Sequence, residues 1–82
     1  MQSDELMRQG RALASRPLEV QTREALAGVQ FKHAPTPSEI VLLAKQPTTG
    51  YVASIYLMRH AHDVARVAGA LLRASGKKYI QF

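Results

Sequence analysis

Residues 36–67 read TPSEIVLLAKQPTTGYVASIYLMRHAHDVARV, and the reading of this stretch decides the fold. Thr36 and Glu39 stand three apart, as the two partners of a capping box do. Pro37 falls at the first helical position, where a missing N–H removes no helical hydrogen bond. A helix over 38–45 is therefore expected. Gln46, Pro47, Thr48 and Thr49 interrupt it, and either threonine can cap a second helix running to about His60. Ile40, Tyr51, Ile55 and Met58 are spaced to share one core beneath the pair.

Two short helices joined by a tight turn make a helix-turn-helix, here over 36–60, whose second helix (48–60) enters the major groove of DNA. On the N-terminal side, Ser3 can cap a helix over 3–15, with Asp4 and Glu5 in its first turn and Leu6, Met7 and Leu13 as its apolar stripe. Pro17 separates it from a further helix over 18–28, where Leu18, Ala25 and Leu26 face a core and Gly28 marks the end. Val29, Gln30 and Phe31 form a short extended segment, and Pro35 makes 32–35 a loop.

The C-terminal third admits two readings. Val64, Val67, Ala68, Leu71 and Leu72 fall at helical spacing, with Gly76 as a stop. Alternatively, 64–67 is a strand, 69–76 a loop and 77–82 (KKYIQF) a returning strand. An isolated strand leaves its backbone ladder open, so KKYIQF needs a partner, either 64–67 or 29–31. The hairpin with 64–67 is preferred, which makes 63–82 a wing. The expected fold class is mainly α with a small β-hairpin (α+β), in a single domain over 1–82.

Eighty-two residues allow one modest core. Without cysteine there is no disulfide framework, thiolate metal site or cysteine nucleophile. No apolar run is long enough to span a membrane, and the acidic start MQSDEL is unlike a signal peptide, so a cytoplasmic location and no membrane partner are expected. The net charge of +5 is uneven. Residues 1–35 carry five Lys/Arg against four acids, whereas 36–82 carry six against two. Basic charge gathered on the helix-turn-helix segment suits a polyanion.

From residue 18 to the end the chain resembles the winged helix-turn-helix family of bacterial, phage and plasmid transcription regulators. The resemblance rests on the spacing of Ile40, Tyr51, Ile55, Met58 and Val64, and on the ending SGKKYIQF, which looks like the return strand of a wing. Pro47 in the turn, Tyr51 in place of an aliphatic residue and the apolar Ala70, Leu71 and Leu72 in the wing loop depart from the pattern. The resemblance implies a winged helix-turn-helix with an extra N-terminal helix. It also implies a sequence-specific regulator, a repressor by operator occupancy, acting as a homodimer on double-stranded DNA.

The candidate DNA-binding residues follow from this reading. Thr48, Thr49 and Gly50 at the helix start can meet phosphate. Val52 and Ala53 suit thymine methyls, while Tyr56 and Arg59 reach bases or backbone. Arg73, Lys77 and Lys78 lie in or beside the wing. His60, His62 and Asp63 are poorly spaced for a metal, and no nucleophile elbow, carboxylate pair or glycine-rich phosphate loop points to catalysis. No catalytic residue, metal or cofactor is expected. A rival reading is a protein-interaction module docking through Val52, Tyr56, Leu71 and Leu72, and another is a non-specific nucleoid-type DNA binder.

Overall fold

A computed structural model describes residues 17–82. The helix expected over 3–15 lies outside them. The elements run α1 (Leu18–Ala25), β1 (Gln30–Phe31), α2 (Pro37–Ala44), α3 (Tyr51–Arg59), α4 (Ala61–Ser75) and β2 (Ile80–Gln81). The fold is mainly helical with one small antiparallel sheet.

Each helix has identifiable boundary chemistry. The backbone carbonyl of Pro17 starts α1 by accepting from Gln21 N–H at 3.2 Å, and Glu19 pairs with Arg23 one turn on at 3.3 Å. The capping box is formed on α2: Glu39 N–H donates to Thr36 Oγ1 at 3.2 Å, and Thr36 N–H to Glu39 Oε1 at 3.1 Å. Two orphan donors are thereby satisfied at once. The cap of α3 is Gly50, not Thr48 or Thr49, and no side chain bonds to that end. Thr49 is committed elsewhere, donating its hydroxyl to Leu43 O at 2.6 Å, while Ser54 donates to Ala44 O at 2.7 Å. The last carbonyls of a helix lack helical partners, so these two hydroxyls close the end of α2 and fix α3 against it. Ser54→Ala is expected to lower stability by about 1 kcal/mol, the net worth of such a bond, read from the urea midpoint.

The segment expected to form the wing is the longest helix. Residues 61–75 are one continuous α4, and His60 alone separates it from α3. The reason is periodicity. A helix turns Ala61, Val64, Ala65 and Ala68 to one side, and all four are buried. A strand over 64–67 would have split them between two faces. Gly76 then stops α4 with φ of 66°, a left-handed conformation suited to glycine. At Gly69 a side chain would crowd Ala34, since a Cβ there would stand 3.2 Å from the Ala34 Cβ. The bare backbone lets α4 lie close to the loop before α2.

KKYIQF supplies a strand, but its partner is the 29–31 segment. β2 pairs antiparallel with β1, Gln30 opposite Gln81 and Phe31 opposite Ile80. The sheet is therefore not a hairpin, because α2, α3 and α4 all lie between its strands in sequence. Gly28 N–H donates to Phe82 O at 2.8 Å, and Phe82 N–H to Val29 O at 2.9 Å, extending the pairing to the last residue. The Phe31 and Phe82 rings meet edge to face, 5.8 Å between centroids, and Arg23 lies over Phe82 at 5.9 Å. These aromatic contacts favour β1 as the partner of β2.

One core joins the elements. Leu26 after α1, Phe31 of β1, Ile40 and Ala44 of α2, Leu57 of α3 and Ala61, Val64, Ala65 and Ala68 of α4 are buried together. Three core expectations are corrected, since Ile55 too lies outside the core cluster. Tyr51 is 81% exposed and Met58 52% exposed, whereas Leu57 is 1% exposed and takes the central place on α3. Ile40 is fully buried as expected.

Candidate nucleic-acid interface

The residues expected to read DNA separate into two groups. Thr48, Thr49, Gly50 and Ala53 line a groove between the start of α3 and the end of α1, opposite Ala25, Ala27 and Gly28. Glu24 stands on the same groove. Thr49 is half-buried with its hydroxyl engaged by Leu43, so Thr48 alone of the two threonines is exposed.

The rest of α3 is also unlike the expected reading face. Tyr56 is turned inward: its hydroxyl is buried without a hydrogen-bond partner and its ring lies 4.7 Å from that of His60. Tyr56 is partly buried and packs against the common core. What α3 shows to solvent is Tyr51, Val52, Met58 and Arg59, with Ile55 half-buried among them. Arg59 is the single cation of this face. Long polar side chains able to hydrogen-bond base edges are otherwise missing from it.

Basic groups gather instead on α4 and just beyond it. His62, Arg66 and Arg73 are all exposed. Their spacing of four and then seven residues keeps them on one side of the helix, opposite the buried Val64, Ala65 and Ala68. Ala70, small and exposed, lies between the two arginines. Lys77 and Lys78 are exposed in the turn that leads to β2. Over 61–82 there are four Lys/Arg against Asp63 alone. Asp63 contacts Arg66 at 3.4 Å, but both side chains are more than half exposed, so water weakens the pair and Arg66 can exchange it for another anion. Arg73, Lys77 and Lys78 make no ion pair among the described residues.

Arg73, Lys77 and Lys78, expected in or beside a wing, thus stand at the end of α4 and in the turn after it. Arg66 and His62 were missed. The signal was present in the seven-residue spacing of Arg66 and Arg73, and it becomes visible only once 61–75 is read as helix. The turn lengths also matter. The connection between α2 and α3 has six residues, 45–50, longer than the three or four of a usual helix-turn-helix, and that between α3 and α4 has one.

His60, His62 and Asp63 do not assemble with a further ligand: among the described residues no group of three His, Cys, Asp or Glu side chains could hold a metal ion. No described helix is long and apolar enough to cross a membrane. Comparison with protein-family models, with curated proteins and with solved structures finds no match for this chain.

Proposed function

We propose that this domain binds double-stranded DNA as a sequence-specific transcriptional regulator, with α4 and not α3 laid in the major groove. The observation that carries this reading is the basic stripe of α4, His62, Arg66 and Arg73, continued by Lys77 and Lys78. A helix of 15 residues is about 22 Å long, enough to follow the groove for several base pairs. With its N-terminal turns deepest, His62 and Arg66 reach base edges. Arg73, Lys77 and Lys78 then meet phosphates where the helix leaves the groove. The two lysines take the place that the winged-helix resemblance gives to the basic tip of the wing. Ala70 keeps the middle of the stripe low, so the backbone of α4 can approach the duplex closely.

Three phosphate contacts, from Arg73, Lys77 and Lys78, would give a log–log salt slope of about −2.7, or a loss of roughly 40-fold between 50 and 200 mM salt. Fluorescence anisotropy with the DNA upstream of the coding sequence, against scrambled duplexes, tests the reading. A preference of about 10³ or more for one site supports a specific regulator. Equal binding to all sequences, collapsing with salt, would reduce the domain to a non-specific binder. No binding at either salt would remove DNA as the partner.

A further inference from the structure

We infer that the free edge of β1 is a strand-addition site, where an extended segment of a partner protein, alternating aliphatic and acidic residues, lies between β1 and α2. This goes beyond the DNA reading and does not depend on it. Among the described residues β1 has β2 on one side and no strand on the other. Phe82 N–H donates to Val29 O at 2.9 Å, and Phe31 stands opposite Ile80. Successive residues of an antiparallel ladder turn their N–H and C=O to opposite sides. Gln30 therefore directs both backbone groups away from β2. No hydrogen bond reaches either of them among the described residues.

That open side borders a groove of about 430 Å³, within the size range of ligand clefts. One wall is the chain from Val29 to His33, and the other is Glu39, Leu42, Leu43 and Gln46, a single stripe of α2. Leu42 is 60% exposed there. The shape selects a lone extended segment. The sheet edge of a second globule is kept from Gln30 by α2, which stands across the groove, whereas a single strand can enter and pair its backbone with Gln30. Residues side by side on paired strands point to the same face. The segment's residue beside the buried Phe31 therefore faces Leu42 and Leu43, and an aliphatic side chain suits it. The next residue stands beside Lys32, which is exposed and has no ion pair among the described residues. An edge lysine discourages uncharged strands and favours an acid at that place. Glu39 is already engaged, its carboxylate accepting from Thr36 N–H at 3.1 Å and lying 3.7 Å from His33 Nε2.

Fluorescence anisotropy of a labelled, end-blocked hexapeptide of alternating valine and glutamate, titrated with the full chain, tests the proposal. The expected result is saturable binding with Kd below about 1 mM. N-methylation of every second peptide amide removes the donors along one edge of the strand. One alternate set should lower affinity at least about tenfold and the other less than about threefold, because a single edge of the peptide meets Gln30. Leu42→Glu, at a solvent-exposed position, should keep the circular dichroism spectrum and weaken binding at least about tenfold. Lys32→Glu should reverse the charge preference, so that a peptide of alternating valine and lysine binds better than the glutamate one. The Gln30 amide should exchange with solvent more slowly once the peptide is bound. No binding up to about 1 mM peptide would overturn the proposal. Equal losses from the two N-methylated sets would overturn it too, since side chains alone would then hold the peptide, as would binding indifferent to Leu42→Glu.

Discussion

Arg66→Glu combined with Arg73→Glu will weaken binding to duplex DNA by about a hundredfold or more at ~100 mM salt and flatten the salt slope by about 0.9, the share of the Arg73 phosphate contact. The effect is large because two contacts are lost and two like charges are brought to the phosphates. It is not a folding effect, since both side chains are exposed on the face of α4 opposite its buried alanines and Val64. The single changes separate two roles. Arg73→Ala should lower affinity alike for all sequences, as a phosphate contact does. Arg66→Ala should also narrow the gap between specific and scrambled DNA, by the ~1–3 kcal/mol that a bidentate base contact discriminates. Thr48→Ala, at the exposed start of α3, should change affinity less than about threefold. Anisotropy titrations at two salt concentrations read all four variants. The reverse pattern, with Thr48→Ala damaging and the α4 pair harmless, would return the reading face to α3.

Leu57→Ala will cost about 2–5 kcal/mol of stability, whereas Met58→Ala in the next position will change the isolated fold by less than about 0.5 kcal/mol. Leu57 is 1% exposed and sits with Ile40, Val64 and Ala61 in the centre of the helical core, so its removal leaves a cavity walled by three helices. Domains of this size have only about 3–10 kcal/mol in total, and the variant should be partly unfolded at physiological temperature. Met58 is 52% exposed, and the Ser54 hydroxyl lies 4.0 Å from its sulfur. Urea denaturation followed at 222 nm, at protein concentrations low enough to keep the chain monomeric, compares the two. Equal losses would mean that α3 is rotated from the orientation described.

That pair of residues also shows where sequence reasoning stops. Thr36, Pro37 and Glu39 locate the start of α2 because capping is local chemistry, decided within four residues. Tyr79, Ile80 and Phe82 likewise announce a C-terminal strand. The phase of α3 is another matter. Tyr51, Val52, Ala53, Ile55, Tyr56, Leu57 and Met58 put apolar groups on every side of the helix, so the pattern fits more than one rotation. Tertiary contacts choose among them, with Ser54 held by the Ala44 carbonyl and α4 following after His60 alone.

The preference for 64–67 as the strand partner fails for a related reason. Both 29–31 and 64–67 have the composition of a strand, but 64–67 also belongs to a helical period that extends from Ala61 to Leu72. The longer pattern wins because it buries four side chains in the common core, where a short wing strand would have covered fewer. Misreading that segment hid the candidate site too. Arg66 and Arg73 look unrelated in a hairpin and stand on one face in a helix.

The most direct test of α4 as the DNA-reading helix is the perturbation of backbone amide resonances on adding duplex DNA. Shifts confined to 62–73 and to Lys77 and Lys78, growing with DNA and reversed by salt, are the expected result. Shifts centred on 48–59 with α4 unmoved, or no shifts anywhere, would contradict it.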